Sequence, residues 1–256
     1  MSLPVFLVPE QPGLPAPHQA QGTVVEVTGA EARHAVVVRR TTVGESVELV
    51  DGCGRRGVGE VVSASKTVMG VRLASVVDEP APVPRLTVVQ AVPKGDRGEL
   101  AVEMLTEVGV DVVVPWAASR CVAVWKGERA TKGVAKWRTT AREAVKQSRR
   151  SRVPVVAELE RTTELVDRVR QAVTGGGLAL VLHEGADERL TGALAAVDAP
   201  TDVLLVVGPE GGVSPEEIEA LVDAGATSVR LGDEVLRTST AGVVACAAVL
   251  AATRWH

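Results

Sequence analysis

Apolar and polar residues follow two different patterns along this chain, and the pattern changes near residue 80. Before that point, four short runs rich in Val are bounded by Gly, Asp and Ser, as β-strands usually are. These runs are 23–29, 46–52, 56–65 and 67–77. The segment 30–40, between the first two runs, fits a short helix. Several short strands in succession predict a small β-barrel, to which we assign residues 1–78.

Residues 79–85 contain three prolines in a short polar stretch, which predicts a stiff linker between two domains. Beyond the linker, continuous apolar runs alternate with helical patterns. The apolar runs are 86–92, 111–116, 178–183, 202–208 and 228–232. Strands that are apolar on both faces and separated by helices form parallel sheets. The sequence therefore predicts an α/β domain with a parallel sheet over residues 86–256.

The spacing of apolar residues predicts three helices in the second domain. In segment 98–110 the apolar positions are Leu100, Met104, Leu105 and Val108. In the basic segment 133–150 the apolar stripe consists of Val134, Trp137, Ala141, Ala144 and Val145. Segment 239–254 is apolar on every face and made of small residues. We expect this last helix to be buried within the domain or against another subunit.

The composition of the chain narrows its class. With 46% hydrophobic and 23% charged residues, the 256-residue chain can bury a core and remain soluble. Its N-terminus lacks the features of a signal peptide, and no run is suited to span a bilayer. We therefore expect a cytoplasmic protein with no membrane partner. Cys53, Cys121 and Cys246 lie far apart and match no metal-binding spacing, so no metal site is predicted.

Positive charge is concentrated in residues 120–152, although the whole chain carries a net charge of -4. Eleven Lys and Arg residues stand there against only two acids, Glu128 and Glu143. A surplus of this size in one segment is typical of a surface that binds phosphate groups of RNA or DNA. A solvated basic helix is the alternative interpretation.

The sequence GPEGG at 208–212 joins a predicted strand to a predicted helix. Ser214 suits the N-cap of that helix, Pro215 its first position, and Glu217 completes a capping box. We expect Gly225 to end the helix. Its core-facing residues are predicted to be Ile218, Leu221 and Val222. In open α/β sheets, loops at the C-terminal ends of strands bind ligands, so the glycine loop is a candidate site.

Four interpretations of the glycine loop are open. A nucleoside triphosphate would need a GxxxxGK[ST] motif, which the sequence does not contain. A dinucleotide would use GxGxxG, and the spacing here differs, although Asp233 stands where a ribose-binding acid would. Glu210 would repel the phosphates of either ligand. An adenosine that carries a positive centre, S-adenosylmethionine (SAM), avoids this conflict, and the fourth interpretation is a glycine turn without a ligand.

Two motifs, GPEGGVSPEEI at 208–218 and LGDEVLRTSTAG at 231–242, resemble the C-terminal motifs of SPOUT-class methyltransferases. The closer resemblance is to the ribosomal RNA small subunit methyltransferase E family, which methylates N3 of one uridine in 16S rRNA. Segments 34–54, 94–110 and 142–154 are similar to that family's PUA-like barrel, first strand–helix connection and basic helix. The resemblance covers nearly the whole chain in the same order.

The resemblance implies a fold, a cofactor and partners. The fold is a SPOUT-type parallel α/β sheet with a C-terminal trefoil knot, plus a small N-terminal PUA-like β-barrel. The cofactor is SAM, held in the knot by three loops. The partners are 16S rRNA or the small ribosomal subunit, and a second copy of the chain in a homodimer. By position, the cofactor-binding residues are Leu182, His183, Glu184, Val207, Gly208, Pro209, Glu210, Gly211, Gly212, Leu231, Gly232, Leu236, Arg237, Thr240 and Ala241.

Methylation of uridine N3 requires loss of its proton, after which negative charge spreads onto O2 and O4. The candidate catalytic residues are Arg237, Thr238, Ser239 and Thr240. Arg237 would stabilise the charge, and its alternative role is a salt bridge to Asp233 or Glu234. The three hydroxyls stand at the start of the last helix, where they can also act simply as caps. Ser239 replaces a glutamate that the family often has, and we expect that carboxylate not to be essential.

The resemblance also implies RNA contacts in the barrel, in the loop after the first sheet strand and on the basic helix. These residues are His34, Arg39, Arg40, Lys94, Arg97, Arg142, Lys146, Arg149, Arg150 and Arg152. The barrel residues are also compatible with surface charges and a packed histidine, and Lys94 and Arg97 with a helix cap. Two other functions stay open: methylation of a ribose 2′-hydroxyl in tRNA or rRNA, and non-catalytic RNA binding or ribosome assembly.

Overall fold

The computed structural model describes residues 3–9 and 13–255. The chain forms two compact units, and each is described by itself. The first unit comprises Met1–Ala81 together with Val145–Val153. The second comprises Pro82–Ala144 together with Pro154–His256. Within the described residues, no helix is long and apolar enough to cross a bilayer.

The first unit is built on a five-stranded sheet. Its strands are β1 (Val5–Leu7), β2 (Val24–Thr28), β3 (Ser46–Val50), β4 (Arg55–Ala64) and β5 (Val68–Asp78). They lie in the order β1-β3-β4-β5-β2, with β1 parallel to β3 and the other pairings antiparallel. The helical parts are a 3₁₀ turn (Pro17–Gln19), α1 (Gly29–Arg33) and a π-helical turn (His34–Val38). The four predicted strands and the helical segment are confirmed, whereas β1 has only three residues and is too short to predict.

Alternation along the strands explains the core of this unit. In β3, Val47 and Leu49 are fully buried, while Glu48 between them is half-buried and Ser46 is exposed. They belong to the same core cluster as Phe6 on β1 and Leu73 on β5. The register of β4 against β5 shifts at two places, and such bulges bend a strand. At Gly59, beside one shift, an added Cβ would lie 2.5 Å from a backbone oxygen of β5, so only glycine fits.

Residues 145–153 belong to the first unit, although the domain boundaries predicted from the sequence place them in the second domain. Hydrogen bonds and ion pairs explain the difference. The ammonium of Lys146 lies 3.2 Å from a carboxylate oxygen of Glu31. The hydroxyl of Ser151 donates to Glu79, and the guanidinium of Arg152 donates to backbone oxygens of the first unit. Burial raises the pKa of Glu79, but the hydrogen bonds from Ser151 and Arg56 outweigh it and hold that pKa below its usual range.

The second unit contains a parallel sheet, as predicted. Its strands are β6 (Arg85–Ala91), β7 (Val112–Ala117), β8 (Val155–Val156), β9 (Glu160–Arg161), β10 (Leu178–Leu182), β11 (Asp202–Val207) and β12 (Thr227–Val229). Their order is β12-β10-β11-β6-β7-β8, β9 also pairs with β7, and every pairing is parallel. The helices are α2 (Arg97–Val108), α3 (Glu128–Ser148), α4 (Thr162–Thr174), α5 (Leu190–Ala195), α6 (Pro215–Asp223) and α7 (Thr238–Thr253).

Helices cover both faces of this sheet. Along β6, Leu86 and Val88 point into one core and Val89 into the other, as strict alternation requires. The first core receives side chains from α2, α3, α5 and α7, including Trp137 and Cys246. The second core receives side chains from α4 and α6. Because both faces are covered, each strand is a continuous apolar run, which is why the five predicted strands are confirmed.

The helix stripes are confirmed in large part. All five predicted stripe residues of the basic helix α3 are buried, and α3 begins at Glu128, earlier than predicted. The predicted core-facing position is wrong for two apolar residues. Leu100 is 46% exposed, because the buried stripe of α2 runs along Ala101, Val102 and Leu105 instead. Val222 on α6 is likewise exposed, whereas its neighbour Leu221 is fully buried.

Candidate functional site

The C-terminal ends of β10, β11 and β12 meet at one edge of the parallel sheet and frame a pocket of about 320 Å³. The loops that follow these strands and the start of α7 form its walls. Thirteen residues predicted to bind the cofactor line it: Leu182, His183, Glu184, Val207, Gly208, Pro209, Glu210, Gly212, Leu231, Gly232, Leu236, Arg237 and Ala241. The other lining residues are Arg97, Val213, Arg230, Glu234, Val235 and Thr238.

The glycine loop 208–212 turns sharply before α6. The Gly212 N–H donates to the Pro209 carbonyl at 2.9 Å, and Gly212 adopts a left-handed φ of 72°. Only glycine takes that conformation readily, and an added Cβ there would meet no atom within 4 Å. The loop therefore presents bare backbone toward open space on the pocket side.

The predicted start of α6 is confirmed. The hydroxyl of Ser214 accepts from the Glu217 N–H at 3.3 Å, and a Glu217 carboxylate oxygen accepts from the Ser214 N–H at 3.2 Å. Pro215 occupies the first helical position. Gly225 adopts a left-handed conformation and ends the helix as predicted. The Ala226 N–H then donates to the carbonyl of Leu221 in the last turn.

Glu217 does more than cap its helix, which the sequence did not predict. Its buried carboxylate also accepts from the Ser119 N–H at 2.8 Å, the Ser119 hydroxyl at 2.9 Å and the Thr162 hydroxyl at 2.8 Å. It thereby ties the loop after β7 and the start of α4 to the helix that follows the glycine loop. Burying a carboxylate is costly unless hydrogen-bond donors such as these replace the water that it loses.

Gly211 does not line the pocket, contrary to the prediction. It faces the loop after β7, where an added Cβ would lie 3.2 Å from both the Cβ and the carbonyl oxygen of Arg120. The Arg120 guanidinium also approaches the Gly211 carbonyl at 3.4 Å. Close approach of a second chain segment, rather than a ligand, explains this glycine.

Thr238 is tied to the glycine loop by a buried hydrogen-bond chain. Its hydroxyl donates to the Gly208 carbonyl at 2.7 Å and accepts from the side-chain amide of Gln90 at 2.9 Å. Gln90 is fully buried and also donates to the Ala91 carbonyl at 3.2 Å. Sequence reasoning missed Gln90, although a glutamine within the apolar run 86–92 is a usable signal, because buried amides need partners.

Of the three predicted hydroxyls at the start of α7, only Thr238 lines the pocket. Ser239 is buried, and Thr240 is exposed outside the pocket. Successive helical residues point about 100° apart, so three neighbours cannot share one wall. The proposed cofactor contact of Thr240 and the hydroxyl roles of Ser239 and Thr240 are therefore not supported by their placement.

Charged side chains of both signs surround the pocket. Asp233 lies 3.4 Å from both Arg189 and Arg230. Among the described residues, no ion pair of Arg237 is seen, so its alternative role as a salt-bridge partner of Asp233 or Glu234 is not realised. Glu210 accepts from the Lys94 N–H at 3.2 Å, which ties the loop after β6 to the glycine loop.

The residues predicted to bind RNA have different environments. In the first unit His34 is half-buried in the π-helical turn, and Arg39 and Arg40 are exposed. Arg142 and Arg149 are exposed and Arg150 is half-buried. Lys146 and Arg152 are engaged by Glu31 and by backbone oxygens within the first unit, so their placement argues for a structural role. In the second unit, Lys94 and Arg97 line a cavity beside the pocket.

Metal-ligating and thiol groups are dispersed. In residues 3–9 and 13–255, no group of three or more His, Cys, Asp and Glu side chains is placed to hold a metal ion. Cys53 is exposed, Cys121 half-buried and Cys246 buried. Burial raises the pKa of Cys121 to about 11 and raises that of Cys246 further, so both thiols are protonated at neutral pH.

Comparisons with known proteins assign the family. An RNA methyltransferase domain matches residues 79–250, and an RNA methyltransferase PUA domain matches residues 27–67. The chain is 48% identical to Ribosomal RNA small subunit methyltransferase E of Mycobacterium bovis, over 91% of this chain and 89% of that protein. It is 27% identical to the protein of the same name from Bacillus subtilis, over 87% and 88% of the two chains.

Solved structures agree with the sequence relatives. A Ribosomal RNA small subunit methyltransferase E from Neisseria gonorrhoeae, bound to S-adenosyl methionine, superposes with a TM-score of 0.83 at 25% identity, covering 98% of both chains. A methyltransferase from Legionella pneumophila in complex with SAM gives a TM-score of 0.81 at 28% identity, with the same coverage. The chain belongs to the ribosomal RNA small subunit methyltransferase E family.

Proposed function

We propose that this chain is a SAM-dependent methyltransferase that methylates N3 of a uridine in 16S rRNA of the small ribosomal subunit. The observation that carries the proposal is the pocket at the ends of β10, β11 and β12, which is lined by the glycine loop and by charged side chains of both signs. The two SAM-bound structures described above superpose on nearly the whole of this chain.

The pocket fits SAM in size and in chemistry. Its volume of about 320 Å³ lies within the usual range for small-molecule sites. Gly212 and Gly232 leave space on the ligand side, since an added Cβ would meet nothing within 4 Å at the first and only a Glu234 oxygen, at 3.5 Å, at the second. Backbone N–H and C=O groups exposed in this way can hold an adenine and a ribose.

The pocket is lined by three carboxylates and three guanidinium groups, and charges of both signs suit a zwitterion such as SAM. Glu184, Glu210 and Glu234 line it, and carboxylates repel the phosphates of a nucleotide. They attract a positive sulfur. Arg230, which also lines the pocket, can pair with the carboxylate of the methionine moiety. The residues that would hold SAM are therefore the thirteen predicted lining residues, without Gly211 and Thr240.

When bound, SAM supplies a methyl group on a cationic sulfur that leaves as a neutral thioether when a nucleophile takes the methyl carbon. The chain's own contribution is alignment and charge stabilisation. Arg237 would face an oxygen of the deprotonated uridine. Thr238 is a positioning residue, because its one hydroxyl proton is already donated to Gly208, and it holds the loop in place.

The burial of Ser239 supports our expectation about the glutamate that relatives often carry at this position. Ser239 is a buried residue of the first turn of α7 and does not line the pocket. A side chain that starts from this position is poorly placed to act as a base on a substrate in the pocket. We therefore propose that catalysis here does not use a carboxylate at position 239.

The remaining parts of the proposal concern architecture and partners. We propose a PUA-like β-barrel over 1–78, a linker over 79–85 and a trefoil knot within the methyltransferase domain over 86–256. The bulged long strands β4 and β5 support a barrel, and the packing of α7 on α2, β6 and β11 supports a buried C-terminal knot. We also propose a cytoplasmic homodimer, with the small apolar residues of α7 at or near the seam.

We propose that the RNA is contacted by eight of the ten basic residues predicted from the sequence. In the first unit these are His34, Arg39, Arg40, Arg149 and Arg150; in the second they are Lys94, Arg97 and Arg142. This proposal differs from the sequence-based one by leaving out Lys146 and Arg152, whose side chains bind within the protein.

The experiment that tests the function is methyl transfer from labelled SAM to small ribosomal subunits that lack the modification. The product is digested to nucleosides and identified by mass spectrometry. N3-methyluridine is the expected product, and Arg237→Ala should lower kcat about 100- to 1,000-fold. A 2′-O-methyl nucleoside, or no transfer by the wild-type protein, would contradict the proposal.

A further inference from the structure

A second cavity, of about 620 Å³, adjoins the SAM pocket in the same unit. Arg97 and Glu210 line both cavities. The second cavity is otherwise formed by the loop after β6, which brings the charged residues Lys94 and Asp96, by Leu100 on α2 and by Val122 in the loop after β7. The hydrogen bond from the Lys94 N–H to Glu210, 3.2 Å long, fixes the loop after β6 against the glycine loop at the junction.

The apolar part of this cavity is unusual for a surface. Leu100 is 46% exposed and Val122 is 62% exposed. Leu100 is also the position at which the helical pattern of α2 predicts burial and the structure shows exposure. Two large aliphatic side chains beside charged groups offer flat apolar surface to a ring whose edge is polar.

We propose that this cavity binds the acceptor base, a pyrimidine-2,4-dione taken out of the RNA stack, with Leu100 and Val122 against its faces and Arg97 at its oxygen edge. This inference rests on the proposed function. An in-line transfer requires the acceptor atom to stand next to the methyl donor, so the acceptor site must open into the SAM pocket. The shared residues Arg97 and Glu210 meet that condition.

Arg97 matches the charge that develops on this base. Loss of the N3 proton spreads negative charge over N3 and the two flanking oxygens, and a guanidinium stays positive at every relevant pH. Among the described residues no ion pair occupies the Arg97 side chain. With Arg237 in the SAM pocket, one guanidinium is available for each oxygen. In the reaction the N3 lone pair forms the N–C bond, the C–S bond breaks toward sulfur, and the N3 proton is released to solvent.

The same arrangement selects uracil over cytosine. Cytosine carries an amino group in place of one carbonyl oxygen, and a guanidinium that faces an amino group has no acceptor. A site that leaves a buried donor unpaired rejects such a ligand strongly. Arg97 is therefore a specificity-determining residue as well as a catalytic one in this proposal.

Val122→Trp tests the cavity, because a bulky side chain would fill it while leaving the SAM pocket intact. Val124→Trp is the matched control: Val124 lies in the same loop, is 53% exposed and lines neither cavity. We expect Val122→Trp to lower kcat/KM for small subunits about 100-fold with SAM affinity and melting temperature unchanged. The control should retain wild-type activity. Wild-type methylation by Val122→Trp would overturn the inference and leave the proposed function standing.

The pH dependence of methylation separates a charge role of Arg97 from a structural one. A nearby cation lowers the pKa of the bound base, so Arg97→Ala should shift the rise of the rate to higher pH by about one to three pH units. Arg97→Lys should restore part of the shift. A loss of rate that is equal at every pH would refute the charge role. Absence of transfer by the wild-type protein at any pH would instead remove the proposed function and this inference together.

Discussion

Replacing Glu217 by alanine removes the acceptor of four hydrogen bonds that connect three segments around the glycine loop. Loss of the capping interaction with Ser214 costs about 1 kcal/mol. The donors on Ser119 and Thr162 then face a space without a carboxylate. Because each hydrogen bond to a charged group contributes about 1.5–3 kcal/mol and these donors can partly recover water, we expect a total loss of about 3–5 kcal/mol.

Thermal unfolding measures this loss, since about 1 kcal/mol lowers the melting temperature of a chain of this size by about 2–4 °C. We expect Glu217→Ala to lower it by about 6–20 °C. Tryptophan fluorescence is a suitable signal, because the Trp116 indole N–H lies 3.3 Å from the Thr162 hydroxyl in the same network.

The matched control for Glu217→Ala is Glu219→Ala, which removes an exposed carboxylate from the same helix. The control should change the melting temperature by no more than about 2 °C, because exposed charges contribute little. If Glu217→Ala melted within that same range, the carboxylate would not hold the three segments together, and our account of the loop geometry would be wrong.

Three further predictions concern other residues. Because the pKa of Cys121 is about 11, only about one Cys121 thiol in a thousand is ionised at pH 8, so iodoacetamide should label the exposed Cys53 first. Rapid labelling of Cys121 in the folded protein, measured by mass spectrometry, would contradict its burial. Arg142→Glu should weaken rRNA affinity and reduce the salt dependence of binding by at least about one phosphate contact. Lys146→Ala should instead lower the melting temperature and change the salt dependence of binding little, because Lys146 pairs with Glu31. The reverse outcome would show that Lys146 contacts RNA. The folded pKa of Glu79 is depressed, so its ionised form stabilises the protein above the unfolded pKa, and this contribution is lost as pH falls through the folded pKa. Glu79→Gln should therefore destabilise the protein at pH 7 but not near pH 2. A loss of stability in urea unfolding that is the same at both pH values would refute this prediction.

Elements with long, regular apolar patterns could be predicted from the sequence. The strands of the parallel sheet are covered on both faces, so their apolar runs are unbroken and easy to recognise. The stripe of α3 and the capping box of α6 are equally local signals, because residues a few positions apart decide them. The same local logic failed at Leu100 and Val222, where a single helical step separates a buried from an exposed position.

Contacts between distant residues could not be predicted, and they decide much of the site. Gln90 and Thr238 are 148 positions apart, and only the fold brings their side chains to 2.9 Å. The second role of Glu217 depends on a loop 98 positions earlier in the chain. The residue type of Ser239 and the start of α7 can be read from the sequence, but the burial of Ser239 depends on how α7 packs.

The assignment of 145–153 shows the same limit at the level of domains. Composition places the linker at the prolines of 79–85, but nothing local reveals that a later segment returns to the first unit. The family resemblance predicted that the loops around the pocket bind SAM. It also predicted SAM contacts for Gly211 and Thr240, which do not line the pocket in the structure.

The central claim is that SAM binds in the pocket at the ends of β10, β11 and β12, and isothermal titration calorimetry tests it most directly. Ala241→Phe places a ring inside that pocket from α7, and Ala252→Phe adds the same ring to an exposed position on the same helix. We predict one SAM per chain for the wild-type protein and for Ala252→Phe, and binding weaker by at least about 100-fold for Ala241→Phe. Equal binding by both variants, or no binding by the wild-type protein, would contradict the account.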